Sequence, residues 1–199
     1  AEQCGNGMRA VAAWLERTGD LTPGTRVETP AGDVALARAR DGGFSADLPG
    51  PEPLSHSALR LPPPVLPESA QGWHLVSMGN PHLIVRWPTE LSAATLAELV
   101  SNIEQNPQWH QQVNIGVVHV ESENQVALRV FERGAGATRA CGSAACAAAW
   151  ALRREHPGTA PVSVRQPGGT LVVDLSEKHG RAMTIGPARI VFEGRLWND

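Results

Sequence analysis

Residues 141–152 read CGSAACAAAWAL, an alanine-rich run of high helix propensity that opens on Cys141-Gly142 and is closed further on by His156-Pro157-Gly158. A helix is predicted from Gly142 to Arg154. A second stretch, residues 4–15, CGNGMRAVAAWL, opens in the same way. Its apolar positions Met8, Val11, Ala12 and Leu15 recur at helical spacing, and Gly19, Pro23 and Gly24 end the pattern, which predicts a helix over Asn6–Arg17. The echo between AVAAWL and AAAWAL, each behind a Cys-Gly pair, points to two related halves. Composition alone can also produce it, because alanine-rich helices resemble one another.

Outward from these helices the pattern turns to strands. Arg26–Thr29, Asp33–Ala39 and Phe44–Leu48 lean to β and are separated by Pro-Ala-Gly and Asp-Gly-Gly turns, so they read as antiparallel strands. Prolines crowd the stretch from Pro49 to Pro67, including Pro62-Pro63-Pro64, which marks an extended linker. Further strands are predicted at Trp73–Ser77, Leu83–Trp87, Ile115–Val120, Val126–Phe131, Val162–Arg165, Leu171–Leu175 and Ala188–Phe192, with a helix over Ala94–Gln105. The fold class is α/β.

Composition narrows the partners. The 199 residues are 42% hydrophobic, enough for a substantial core, and the formal net charge of −3 comes without long blocks of either sign, so nothing suggests nucleic acid or a charged membrane surface. A small molecule is the expected partner. No apolar run has membrane-spanning length, and the first residues lack a signal-peptide layout, which makes the cytoplasm the expected location. Cys4, Cys141 and Cys146 are odd in number and form no CxxC pair, an arrangement that favours reduced thiols over disulfides or a zinc site.

A thiol just before a helix meets free backbone N–H groups and the positive end of the helix dipole, which favour its thiolate. Cys4 and Cys141 both have that placement, and Gly5, Asn6, Gly142 and Ser143 offer amides that a carboxylate could approach closely. A single Cys-Gly pair reads equally well as a small hydrophobe at a turn; two of them shift the reading towards chemistry. Cys146 has no glycine before its own turn and reads as core. Glu132-Arg133 ends a strand ahead of Cys141, offering an acid and a carboxylate-binding fork, or else an ordinary exposed ion pair. Asn80-Pro81-His82 and Asn114 lie at turns and strand edges, where an amide or imidazole could face a ligand or simply terminate a strand.

Taken in order, EQCGNGMR, SMGNPH, NIG, ERGAGATRACGSAACA, PGG and IGPA resemble diaminopimelate epimerase along essentially the whole chain. The resemblance implies two pseudo-symmetric domains, each a mixed sheet curled around a central helix, with the active site in the cleft between them. Residues 1–48 with 194–199 would form the first, and 49–193 the second. It implies an isomerase that uses neither cofactor nor metal and interconverts LL-2,6-diaminopimelate and the meso isomer for lysine and peptidoglycan precursors. Cys4 and Cys141 would be the two acid/base thiols, with His82 assisting Cys4 and Glu132 assisting Cys141. Gly5, Asn6, Asn80, Asn114, Glu132, Arg133, Gly142 and Ser143 would bind substrate. A homodimer is compatible with the resemblance.

Ala137 and Ala144 depart from the family, which usually has an acid and a glycine at those places. The family's N-terminal segment would lie upstream of Ala1, leaving the first domain incomplete. The alternatives are a proline racemase or hydroxyproline epimerase, which would not need a distal-carboxylate anchor such as Arg133, and a binding protein that has lost turnover.

Overall fold

The computed structural model describes residues 4–30, 32–40, 42–175 and 180–194. Helix α1 (Gly5–Thr18) leads into strands β1 (Arg26–Val27), β2 (Val34–Arg38), β3 (Phe44–Pro49) and β4 (Glu52–Leu54). There follow β5 (Gly72–Ser77), β6 (Pro81–Arg86), helix α2 (Ala93–Glu104), β7 (Asn114–Ser122), β8 (Gln125–Glu132) and β9 (Gly136–Thr138). Helix α3 (Gly142–Glu155), β10 (Val162–Gln166), β11 (Gly169–Asp174) and β12 (Arg181–Gly186) complete the described elements. The strands form one mixed sheet in the order β1-β2-β3-β12-β11-β10-β8-β7-β6-β5-β4, with β9 pairing off that path to β8. Only β8–β10 and β6–β7 run parallel among these pairs.

The sheet curls around α3, which touches strands from β5 through β12. Sequence explains why this helix can sit at the centre. Ala144 to Ala149, Cys146 among them, are all 0% exposed, and a helix that is apolar all round with short side chains lets strands close on every side. Helix α1 is seated differently. Gly5, Arg9, Ala12 and Ala13 form its one buried stripe, facing Leu36, Ala46 and Leu48 of the same core. Gly19 ends α1 in the left-handed conformation at φ 82°, and Ser92 caps α2 by accepting the Thr95 N–H at 3.1 Å. A second core lies beneath α2, joining Leu96, Leu99 and Ile103 to Leu83, Val85, Ile115 and Val117.

Two expectations change. The strand expected at Ala188–Phe192 is absent: the chain from 187 to 194 is irregular, Val191 and Phe192 are exposed, and the ion pair of Glu193 with Arg17 ties this segment to α1. The last described strand is β12 instead. Its inward positions are Ala182, Thr184 and Gly186, too small and too polar to register as an apolar alternation, whereas the exposed run Ile190-Val191-Phe192 did register. The proline-rich stretch is also less of a linker than its composition suggests. It carries the edge strand β4, where Pro53 is tolerated, and it sends Leu61 into the second core. Of the terminal piece assigned to the first domain, residues 195–199 lie outside the described residues. No helix among the described residues is long and apolar enough to cross a membrane.

Candidate active site

The starts of α1 and α3 abut. A Cβ on Gly142 would lie 3.6 Å from the Gly5 Cα and 3.6 Å from the Asn6 nitrogen, so glycine at both helix starts allows two backbones to meet without a side chain between them. Cys4 and Cys141 are the residues immediately before the two helices. Gly7 makes room for the first sulfur, because a Cβ there would come within 2.9 Å of Cys4 Sγ.

A cleft of about 390 Å³ opens at this junction. Cys4, Gly5 and Asn6 line it from the start of α1, and Ala140, Cys141, Gly142 and Ser143 from the start of α3. Asn80, Asn114, Glu132 and Arg133 line it from the ends of the strands. Six backbone positions at two helix starts therefore face one volume, and both macrodipoles present positive ends to whatever occupies it. A carboxylate suits such a place.

The two thiols differ. Cys4 is exposed, whereas Cys141 is buried at 6% exposure. Burial pushes the Cys141 thiol up to about 11. The Ser143 hydroxyl, 3.3 Å from the sulfur, and the Ala144 N–H pull it the other way, and Glu132 pushes it up again by its charge and by accepting from the thiol. At neutral pH Cys141 is thus a protonated group with a carboxylate beside it. Ala144, one of the two departures from the family pattern, contributes through its backbone, so the missing glycine does not remove that contact. Glu132 is itself held by the Thr138 hydroxyl at 2.5 Å, and Thr138 sits on β9, which pairs back along β8.

Asn114 lies at the start of β7, where its Oδ1 accepts the Arg133 N–H at 2.9 Å and its amide donates to the Pro81 carbonyl at 3.4 Å. It therefore ties together three segments that reach the cleft. Asn80 is presented by a turn that needs Gly79 at φ 86°. His82 is not part of the cleft lining. It is 0% exposed behind Asn80, donating from Nε2 to Asn80 Oδ1 at 3.2 Å, while its Nδ1 has no partner. Burial, reinforced by the charge of Arg133, pulls His82 down to about 4, so the ring is neutral.

Three residues at the junction carry no assignment from the sequence. Gln166, at the end of β10, accepts the Cys141 N–H at 2.8 Å and so fixes the backbone that carries the second thiol. Thr138 orients Glu132. Arg9 is 4% exposed beneath the first helix start, with a nitrogen bonded to Asn6 Oδ1. A signal for Arg9 was available: it falls on the i, i+4, i+7, i+8 stripe with Gly5, Ala12 and Ala13, where a cation is out of place. Gln166 carried no such signal, since its partner is 25 residues away in sequence.

Comparison with known proteins agrees with the motifs. The family model described as diaminopimelate epimerase matches residues 74–191. A diaminopimelate epimerase from Halorhodospira halophila is 39% identical over 205 residues, covering 98% of this chain and 70% of the relative. One from Xanthomonas oryzae pv. oryzae is 37% identical, covering 100% and 72%. Among solved structures, a phenazine biosynthesis protein of the PhzF family from Enterococcus faecalis superposes with a TM-score of 0.61 at 14% identity, covering 100% of this chain and 74% of that one. A hydroxyproline epimerase from Agrobacterium vitis does so at 0.60 and 18%, covering 89% and 62%. At such identities the structural likeness speaks for the fold alone, a mixed α/β architecture shared by these proteins, while the sequence relatives settle descent: the chain belongs to the diaminopimelate epimerase family.

Proposed function

We propose that this chain interconverts LL-2,6-diaminopimelate and meso-diaminopimelate by passing a proton across the α-carbon between two cysteines. The observation that carries the reading is the meeting of two cysteine-led helix starts at one cleft. Inverting a stereocentre by proton transfer needs two groups on opposed faces, each able to exist protonated or not. Cys141, protonated and buried, is suited to deliver a proton, and Cys4 at the other helix start supplies the second thiol of the pair.

The amides of Gly5, Asn6, Gly142 and Ser143 would take the α-carboxylate and stabilise the negative charge that develops on it as the α-proton leaves. Glu132 would exchange the thiol proton of Cys141. His82 would assist the Cys4 side from behind, by holding Asn80. Asn80, Asn114 and Arg133 would bind the distal amino acid end, with the Arg133 guanidinium suited to its carboxylate. This distal recognition separates the reading from a proline racemase or hydroxyproline epimerase, whose cyclic substrate has no second carboxylate. The helix starts facing each other support dividing the chain into residues 1–48 with 194–199, and 49–193. Three free thiols support a reducing compartment such as the cytoplasm, and a homodimer is the assembly to test by sedimentation.

The test is to incubate the protein with LL-diaminopimelate in D2O. Meso product carrying deuterium at the inverted α-carbon is expected. Conversion of proline or hydroxyproline instead would replace the substrate, and binding without α-hydrogen exchange would replace the enzyme by a binding protein.

A further inference from the structure

We propose that Arg9 is a positioning residue for this site: from beneath the first turn of α1 it holds the Asn6 side chain so that its amide NH2 faces the cleft. The inference rests on the proposed epimerase reading for its substrate, but its geometry stands on its own.

Arg9 is buried, and among the described residues no carboxylate acts on it. Its guanidinium instead reaches three oxygens. Nη2 donates to Asn6 Oδ1, while Nη1 donates to Thr184 Oγ1 at 3.2 Å and to the Gly5 carbonyl at 3.4 Å. Nε has no partner. An arginine can only donate, so the atom of Asn6 that faces it must be the oxygen, and the orientation of that amide is settled by chemistry. The NH2 group then lies on the other side. Asn6 is exposed and lines the cleft, so the cleft is open to that NH2 group, and we place it there.

The rest of the fold is arranged to keep Arg9 there. Thr184 points inward from β12 and passes its own proton to the Ala46 carbonyl on β3 at 3.2 Å, which leaves its oxygen free to accept from Arg9. Gly186, two residues along, has no side chain because a Cβ would lie 3.4 Å from Arg9 Nε and only 2.5 Å from Leu171 Cδ2. A last strand of small and hydroxyl side chains is what a buried arginine requires at this position.

A buried cation without a counter-charge is costly. Burial lowers the proton affinity of Arg9, and only the negative charge of an ionised Cys146 or Cys4 would oppose it. A carboxylate held between the two helix starts would supply the missing charge. Arg9 would then act twice on the same ligand, by aiming the Asn6 amide and by drawing an anion into the cleft. Stability alone gives no reason to keep it. On its removal Thr184 still bonds Ala46, and Asn6 Oδ1, on an exposed residue, can take water.

The experiment compares Arg9→Met, Arg9→Lys, Asn6→Ala and the Arg9→Met/Asn6→Ala double variant in the full chain. The readouts are kcat and KM for LL-diaminopimelate, the melting temperature, and the side-chain amide resonance of Asn6. Arg9→Met is expected to lose on the order of 10²-fold in kcat, as a displaced binding group does, while melting no lower than the parent. Its Asn6 resonance should shift and gain mobility. Arg9→Lys, which keeps the charge without the fork, should fall between, and the double variant should be no worse than Asn6→Ala alone. Arg9→Met turnover within about twofold of the parent, an unmoved Asn6 resonance, or fully additive losses would each overturn the inference. If the parent chain converts no diaminopimelate, the epimerase reading fails by itself, and the resonance and melting of Arg9→Met still decide what Arg9 does.

Discussion

Two helix starts with nearly the same sequence, Cys4-Gly5-Asn6 and Cys141-Gly142-Ser143, have been given different surroundings. The first lies on a helix with one buried stripe, its cysteine is exposed, and its first turn is gripped from below by Arg9. The second opens a helix buried on nearly all sides, its cysteine is almost inaccessible, and its sulfur is ringed by Ser143, Ala144 and Glu132 while Gln166 holds its backbone. The local motif supplies a thiol and a set of amides. At the second start, burial and the carboxylate beside it decide what the thiol does with a proton.

The sharpest break in this comparison comes from removing either sulfur. If the two starts are unequal halves of one acid/base pair, Cys4→Ala and Cys141→Ala should each lose epimerisation by about 10²- to 10⁴-fold, the usual worth of a positioned acid or base. Turnover and α-hydrogen exchange in D2O measure it. Full activity in either variant would mean that one start alone performs the reaction.

That asymmetry was only partly legible beforehand. Both helices and their starts could be read because glycine and alanine act locally: glycine admits the turn and alanine drives the helix. Asn80, between Gly79 and Pro81, and Arg133, before Gly134, could be read as candidates at turns, and Asn114 and Glu132 as candidates at strand ends. The difference between the thiols could not be read, since it depends on how a sheet curls around α3 and buries Cys141. His82 shows the same limit: only its place inside β6 puts it behind Asn80, not on the cleft wall. Strand β12 escaped because Thr184 and Gly186 are fitted to Arg9, and a side chain chosen for a partner at the far end of the chain breaks the alternation by which strands are recognised.

Anchoring is the next difference to test. Gln166→Leu leaves the Cys141 N–H without its partner at a buried position, a loss of about 1–3 kcal/mol, and should displace the second thiol while leaving the first untouched. Denaturant unfolding gives the stability loss. Slower epimerisation with an unchanged rate of Cys4 alkylation by iodoacetamide would locate the damage at the second start alone. If Cys4 reactivity changes as much, the two starts are coupled more tightly than their separate anchors suggest.

Protonation gives a third, with opposite signs at two ends of the pH range. The thiol of Cys141 ordinarily titrates near 9.0 and is pushed up to about 11 by burial. The folded state thus holds the proton more tightly than the unfolded chain. Its contribution is complete below pH 9 and is lost as pH rises towards 11, on the order of 2–3 kcal/mol. His82 runs the other way. Pulled from 6.5 down to about 4 by burial and by Arg133, it favours the folded state fully above pH 6.5 and loses that contribution as pH falls towards 4. Unfolding free energies across pH should decline on both limbs, with Cys141→Ala flattening the alkaline one and His82→Gln the acid one. Unchanged slopes would show that neither group is held as its burial requires.

The smallest effect is expected at the third cysteine, which shares a helix with Cys141 and makes a control for it. Cys146 is 0% exposed, and burial pushes its thiol up to about 12, with the charge of Arg9 opposing and that of Cys141 reinforcing. It stays protonated through the whole working range and has no path to the cleft, whose lining stops at Ser143 on this helix. Cys146→Ala removes one sulfur from the packed centre of α3 and should cost about 1 kcal/mol of stability, the common size of a small buried truncation. Turnover should remain within about twofold of the parent. Because the variant perturbs the same helix a little over one turn from Cys141, it separates loss of packing from loss of chemistry. If Cys146→Ala lost activity as fully as Cys141→Ala, the effect at Cys141 could be put down to a disturbed helix, and the contrast between the two starts would lose its chemical meaning.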